Sequence, residues 1–152
     1  MIVLRPDDAP RITSLHAAAA SDPWPVEEYR NLMKQGTSLA LGAANEETDS
    51  LNAFVLSQIA VDTADILMIA TSPQHQRQGL AKTILRSLIK RLGERGVERI
   101  TLDVAADNEA AIALYRAMEF AIDGRRPKYY RQGKNRVDAI LMSRPVTGLP
   151  QP

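Results

Sequence analysis

The chain has 152 residues, of which 45% are hydrophobic. This is enough for one well-buried core, but the chain is too short for two independent domains. Its 19 basic and 18 acidic residues leave a net charge of +1, so we predict no direct nucleic acid partner. The absence of cysteine excludes disulfides and a cysteine nucleophile. With no signal-like N-terminus and no apolar run of ~18 residues, we predict a cytoplasmic protein without a membrane partner.

The N-terminal part of the chain shows one strand pattern and two helix patterns. Residues 2–5 are typical of a short strand, and Asp8 with Pro10 predicts the start of a helix. The proline-rich stretch 21–25 interrupts that pattern. Apolar residues at helical spacing then predict a second helix: Val26, Tyr29, Leu32 and Met33.

Three apolar runs predict the next strands. Residues 38–41 and 54–59 are predicted to be antiparallel, joined through a polar loop at 45–50. Residues 66–71 form a third run, which leads directly into a glycine-containing loop. The chain therefore reaches that loop from the end of a strand.

The loop segment Gln76-Arg77-Gln78-Gly79-Leu80-Ala81 precedes a strong helical pattern. The first N–H groups of a helix have no intrahelical partner, so a phosphate placed there meets donors and a favourable dipole. Gly79 allows close approach of the backbone. A P-loop is excluded because Ala81, not glycine, precedes Lys82. The alternative is an ordinary polar strand-to-helix turn.

The segment after the loop predicts a helix, a strand and a further helix. The first helix is indicated by Leu80, Ile84, Leu85, Leu88, Ile89 and Leu92, with Gly96 as its stop. Residues 99–104 alternate, which turns Asp103 away from the apolar row of that strand. Asp107 is predicted to cap a helix from Asn108 to about residue 118, placing Asn108 and Tyr115 within about 20 degrees of each other around the axis.

The C-terminal part carries a basic segment between predicted strands. Residues 120–122 and Tyr129-Tyr130 flank the basic run 125–128, and residues 139–142 are predicted to complete the sheet. After Arg144 the chain is predicted to be unstructured.

Two motifs together resemble the GNAT family of N-acetyltransferases. The loop resembles the family's Q/R-x-x-G-x-G/A pattern, and the later pattern resembles its L-E/D-V-x-x-x-N-x-x-A-x-x-L-Y-x-x-x-x-F signature through Leu102-Asp103-Val104, Asn108, Ala111, Leu114-Tyr115 and Phe120. The resemblance implies an α+β three-layer fold, with a mixed, mostly antiparallel sheet flanked by helices and splayed central strands. It also implies one N-acetyltransferase domain at residues 1–146 and a flexible tail at 147–152.

The resemblance further implies acetyl-CoA as cosubstrate, held between the splayed strands, and no metal. Pantetheine is expected to pair with the backbone of Ile69, Ala70 and Thr71. The pyrophosphate is expected on the amides of the loop and helix start, and Asn108 is expected to contact the cosubstrate arm. The expected loop residues are Arg77, Gln78, Gly79, Leu80, Ala81 and Lys82.

Asp103 and Tyr115 are the expected catalytic residues. Asp103 matches the acidic base of the RimI-type subgroup, where glutamate is usual, so its shorter side chain favours a water relay. The alternative is a solvated aspartate at a strand end. The resemblance gives Tyr115 the role of general acid toward the CoA sulfur; the alternative is a core aromatic. Glu119 departs from the family, which usually has glycine before Phe120.

The acceptor is expected from further similarity to the RimI-type subgroup. The segments Arg125-Arg126-Pro127-Lys128-Tyr129-Tyr130 and Asp138-Ala139-Ile140-Leu141-Met142 resemble its R-R-x-Y-Y and D-A-x-x-M motifs. This implies direct transfer of acetyl to the N-terminal alanine of a small-subunit ribosomal protein. Trp24 is either a core or lid aromatic or an acceptor-lining residue. The alternatives are a GNAT enzyme for a small amine or lysine side chain, and a non-catalytic CoA-binding module.

Overall fold

The computed structural model describes residues 1–20 and 22–147. In chain order, its main elements are β1 (Ile2–Val3), α1 (Ala9–Ala19), α2 (Val26–Lys34), β2 (Ser38–Ala44), β3 (Leu51–Ala60), β4 (Thr63–Thr71), α3 (Leu80–Glu94), β5 (Arg99–Ala105), α4 (Glu109–Ala117), β6 (Ala121–Gln132) and β7 (Asn135–Pro145). Short 3-10 turns occur at Pro6–Asp8 and Pro73–His75. No helix among the described residues is long and apolar enough to cross a membrane.

The strands form one seven-stranded sheet in the order β1-β2-β3-β4-β5-β7-β6. All neighbours are antiparallel except β4 and β5, which are parallel. The predicted mixed, mostly antiparallel sheet is therefore confirmed.

Alternating side chains place a hydrophobic cluster on each face of the sheet. On β3, Ala53 and Val55 face the cluster that includes α3, whereas Phe54 and Leu56 face the cluster that includes α1 and α2. Because successive strand residues point to opposite faces, one strand serves both cores. The result is the predicted three-layer arrangement of helices, sheet and helices.

The two central strands separate halfway along their length. β4 and β5 pair only from Thr63 opposite Arg99 to Ile66 opposite Leu102. At that point the β3–β4 register shifts, so that Leu67 is an extra residue between the pairs made by Ile66 and Met68. Such a bulge bends a strand, and here it accompanies the divergence of β4 from β5. The predicted splay of the central strands is confirmed.

Two predictions in the C-terminal part are wrong. The basic run 125–128 lies within β6 rather than between two strands. Arg125 and Arg126 pair with β7, and the register shift that follows them ends at Tyr130, which pairs with β7 again. Pro145, which was predicted to be unstructured, belongs to β7, and the Val146 N–H donates to the Glu98 carbonyl over 2.9 Å. Of the predicted tail 147–152, residues 148–152 lie outside the described residues.

Candidate active site

An open cleft of about 1040 Å³ lies where β4 and β5 separate. The second half of β4, the loop before α3, the first turn of α3, β5, α4 and the tyrosines of β6 all contribute to its walls. On its β5 side, the backbone from Leu67 to Thr71 has no strand partner, because pairing with β5 stops at Ile66. The cleft therefore offers an unpaired strand edge to a ligand that carries amide groups.

The loop before α3 presents backbone N–H groups to this cleft. Arg77 and Gly79 have φ angles of 64° and 77°, so the chain turns twice through the left-handed region before α3 begins. No side chain caps the helix, and its first backbone bond is donated by Thr83 to the Gly79 carbonyl. The N–H groups of residues 80–82 therefore have no intrahelical partner. This geometry fits an anion such as a phosphate.

Most of the predicted loop and strand residues line the cleft, but two do not. Ile69, Thr71, Arg77 and the segment 79–82 form part of its wall. Ala70 points to the opposite side of the sheet, where it packs against the α1–α2 cluster. The Gln78 side chain turns back toward the loop and donates to the Gln74 carbonyl at 3.5 Å. The side chains of Ala70 and Gln78 therefore do not form part of the cleft wall.

Asp103 lies in the cleft as the strand alternation predicts. Ile100, Leu102 and Val104 of β5 are buried, whereas Asp103 is exposed on the other side of the strand and lines the cleft. The carboxylate forms no ion pair with any residue that the structure describes. An unpaired carboxylate at this position can accept a proton directly or through water.

Tyr115 is both a core aromatic and a cleft residue, the two alternatives that the sequence left open. Its side chain is only 5% exposed, and its ring packs edge-on against Phe120 with centroids 5.7 Å apart. The residue also lines the cleft, and its hydroxyl makes no hydrogen bond to any described residue. Burial, followed by the nearby Tyr130 phenol, raises the pKa of Tyr115 to about 12. The phenol is therefore a protonated donor at neutral pH.

The predicted cap of α4 is wrong by one residue. Asn108, not Asp107, is the N-cap, and its Oδ1 accepts from the Ala111 N–H over 3.2 Å. The Asp107 carboxylate instead accepts from Gln132 Nε2 at 3.3 Å. Asn108 therefore lies outside the helix and does not share a helical face with Tyr115. Both residues still line the cleft, and the amide NH₂ of Asn108 is not used by the cap.

Hydrogen bonds between Asp138 and the basic segment of β6 accompany the bulge that positions Tyr129 and Tyr130. Asp138 accepts from the Lys128 N–H over 2.8 Å and from Arg125 Nε over 2.6 Å, and these bonds hold its pKa below its usual range. Lys128 has a φ of 51° in the bulge between β6 and β7. The bulge places Tyr129 and Tyr130, adjacent along the chain, both in the wall of the cleft.

Sequence reasoning missed Asp65, which belongs to the same site. It lies on β4 opposite Thr101, and its Oδ1 accepts from the Thr101 hydroxyl over 2.8 Å. The strand was predicted to begin at Ile66, so the alternation that exposes Asp65 between buried Ala64 and Ile66 was not used. Extending the alternating pattern by three residues would have identified it.

Trp24 closes the cleft on the side of α1 and α2. It lines the cleft and packs on Tyr29, with ring centroids 5.3 Å apart. The Trp24 N–H donates to His16 Nδ1 over 3.2 Å, and His16 Nδ1 also lies 2.6 Å from the Tyr29 hydroxyl. Trp24 is therefore a packed aromatic that also forms part of the cleft wall, and His16 is a buried packing residue.

No group of three or more His, Cys, Asp or Glu side chains in residues 1–20 and 22–147 is arranged to hold a metal ion.

Comparisons with known proteins agree with this geometry. The family model described as "Acetyltransferase (GNAT) family" matches residues 9–120. The chain is 34% identical over 144 residues to the [ribosomal protein bS18]-alanine N-acetyltransferase of Escherichia coli K12, covering 95% of both chains. It is 31% identical over 137 residues to the protein of that name in Haemophilus ducreyi, covering 90% of this chain and 92% of the relative.

Solved structures show the same fold. The crystal structure of the ribosomal-protein-S18-alanine N-acetyltransferase from Escherichia coli superposes with a TM-score of 0.89 at 31% identity, covering 99% of this chain and 95% of that one. Arabidopsis thaliana NAA60 in complex with acetyl-CoA has the same fold, with a TM-score of 0.83 at 20% identity, covering 97% of this chain and 98% of that one. With its family model, its relatives and its cleft in agreement, the chain belongs to the acetyltransferase (GNAT) family and is an N-acetyltransferase.

Proposed function

We propose that this chain transfers the acetyl group of acetyl-CoA to the α-amino group of an N-terminal alanine in a small-subunit ribosomal protein. The observation that carries the proposal is the 34% identity, over 95% of both chains, to a protein named for that activity. The groups in the open cleft support the proposal: an exposed carboxylate, a protonated phenol and unpaired backbone amides suit such a reaction.

Acetyl-CoA fits the described cleft through backbone groups. The unpaired edge from Leu67 to Thr71 would pair with the amides of the pantetheine arm, and the N–H groups of residues 80–82 would hold the pyrophosphate. Lys82, which lines the cleft at the same helix start, adds a positive charge beside those amides. Asn108 keeps its amide NH₂ for the cosubstrate arm.

The chemistry is a direct attack of the acceptor nitrogen on the thioester carbonyl carbon. Asp103 removes one proton from the acceptor ammonium, through a water because its side chain is short, and the neutral amine then attacks. The C–N bond forms and the C–S bond breaks, Tyr115 donates its phenolic proton to the departing sulfur, and the second proton lost by the nitrogen restores the Tyr115 phenol. A backbone N–H of the strand 69–71 is the proposed oxyanion donor. The chain contains no cysteine that could carry an acetyl-enzyme.

A second candidate is a small cationic amine as acceptor. Two aspartates, Asp65 and Asp103, line the cleft, and a negatively charged lining also suits a polyamine. Because the chain belongs to a family of N-acetyltransferases, we do not propose a non-catalytic CoA-binding module.

Mass spectrometry of one competition assay separates the two acceptors. The protein is incubated with acetyl-CoA, a peptide that begins with the N-terminal alanine of the ribosomal protein, and spermidine. We expect acetyl on the peptide. Acetyl on spermidine alone would replace the proposal with the small-amine function.

A further inference from the structure

Asp65 and Asp103 form a carboxylate pair at the point where the central strands part. Asp65 lies opposite Thr101 on the parallel neighbour strand, and Thr101 and Asp103 share one side of β5 because they are two residues apart. The Thr101 hydroxyl bonds to Asp65 Oδ1 over 2.8 Å and thereby fixes that carboxylate on the cleft side. Both aspartates line the cleft.

The carboxylate pair has no ion-pair partner among the described residues. The nearby Arg126 guanidinium lies over the Tyr129 ring instead, 5.2 Å from its centroid. Desolvation in the cleft raises the pKa of Asp65, and the charge of Asp103 raises it further, whereas the Thr101 bond and Arg126 lower it. Two carboxylates held together without a cation favour a ligand that brings one.

Two phenols, Tyr115 and Tyr130, lie in the cleft wall beside the pair. Burial and the charge of Asp103 raise the pKa of Tyr130 to about 12, and Asp65 contributes to that rise, so Tyr130 lies near both carboxylates. Tyr115, which neighbours Tyr130, is 95% buried at the cleft with an unpartnered hydroxyl. Hydrogen-bond capacity therefore remains unused around the two acids, in the wall of a cleft where an acceptor amine must lose a proton.

We propose that Asp65 binds the positively charged amino group of the acceptor next to Asp103, before that group loses its proton. Asp65 is then a specificity-determining residue for charged amines, while Asp103 keeps the role of base. The inference rests on the proposed function for the identity of the acceptor. An ammonium has three donors, so it can bond to both carboxylates at once and still reach a water.

The test compares Asp65→Asn with wild type on two acceptors. The first acceptor is the alanine peptide, whose terminal amine is charged at neutral pH. The second is the same peptide with a hydrazide in place of that amine, and the hydrazide is uncharged at neutral pH. We expect Asp65→Asn to raise the KM for the amine peptide about tenfold, with the KM for acetyl-CoA unchanged and little effect on the hydrazide. Asp65→Glu, which retains the carboxylate, should recover part of the loss.

Asp123→Asn is the matched control, since Asp123 is exposed on β6 and does not line the cleft. An unchanged KM in Asp65→Asn, or an equal loss with amine and hydrazide, would overturn the inference. If wild type acetylates spermidine and not the peptide, the proposed function fails, and the same variants measured with spermidine then decide the role of Asp65 separately.

Discussion

Tyr115 packs in the hydrophobic core and also lines the cleft. Its ring packs on Phe120 in the larger hydrophobic cluster, while the same residue lines the cleft with a hydroxyl that no described residue engages. Removing only that hydroxyl leaves the packing intact. We predict that Tyr115→Phe lowers kcat by about 100-fold or more, the range of lost general acid catalysis, with the Kd of acetyl-CoA unchanged.

Steady-state kinetics with the alanine peptide, together with calorimetric titration of acetyl-CoA, checks this prediction. A Tyr115→Phe enzyme with a normal kcat would show that the tyrosine is only a core aromatic.

The raised pKa of Tyr115 also predicts how activity depends on pH. Burial raises that pKa to about 12, so the phenol stays protonated at every pH well below 12. Loss of the acid form therefore cannot reduce kcat between pH 7 and pH 10. We predict no falling limb of kcat in that range. A limb near pH 9 that disappears in Tyr115→Phe would contradict the assignment.

At the level of single residues, the sequence predicted those that carry a motif and missed those that depend on register. Asp103 and Tyr115 lie in the cleft as expected because alternation and helical spacing determine direction locally. Asp65 was missed because the predicted strand began at Ile66, and its pairing with Thr101 on another strand is not visible in the sequence. Asn108 was assigned to the helix because sequence alone does not distinguish two adjacent capping residues.

The C-terminal end of α4 is held in a conformation that glycine adopts more easily. Glu119 has a φ of 67°, and the Phe120 N–H donates back to the Tyr115 carbonyl over 2.9 Å, as in a Schellman motif. A non-glycine residue in the left-handed region costs about 1 kcal/mol. We predict that Glu119→Gly raises the free energy of unfolding by about 1 kcal/mol, as measured by urea denaturation.

Glu94→Gly is the matched control for that change. Glu94 is the last residue of α3 and is exposed, so the same substitution there should lower stability by up to about 1 kcal/mol. A Glu119→Gly protein that is no more stable than wild type would show that the left-handed turn is not strained.

Arg144 fastens β7 to the end of α4. It is 2% exposed, and its guanidinium donates to the carbonyls of Met118, Pro145 and Thr147 over 2.6, 2.7 and 2.8 Å. Desolvation lowers the pKa of the guanidinium, although Glu119 opposes this shift. We predict that Arg144→Met costs about 3 kcal/mol of stability, because the buried Met118 carbonyl loses its donor and two partly buried hydrogen bonds are lost with it.

Thermal unfolding of Arg144→Met beside Arg136→Met measures this effect. Arg136 lies on the same strand but is exposed, so its substitution should change stability by no more than about 0.5 kcal/mol. Equal stabilities of the two variants would contradict the fastening role.

At the level of elements, strand ends were predicted less well than strand existence. The sequence located every strand except the continuous course of β6, whose proline and charged residues are typical of a loop. The structure keeps these residues in a strand because Asp138 satisfies Arg125 and the Lys128 N–H across the bulge. That compensation comes from β7, so no local pattern within residues 125–130 could indicate it.

For the whole molecule, the cleft depends on one irregularity in the sheet. The extra residue Leu67 accompanies the end of pairing between β4 and β5, and the opening that follows contains the candidate base, the candidate acid and the unpaired strand edge. Resemblance to a family predicted this splay, whereas strand propensity alone did not, because a bulge depends on the register between two strands. The sequence thus indicated the location of the site, and the sheet register determined its shape.

The most direct test of the account is the position of acetyl on a single peptide that contains both an N-terminal alanine and an internal lysine. Fragment-ion mass spectrometry after incubation with acetyl-CoA distinguishes the α-nitrogen from the lysine ε-nitrogen. The account predicts acetyl on the α-nitrogen with wild type and almost none with Tyr115→Phe. Acetyl on the lysine, or equal acetylation by both proteins, would contradict it.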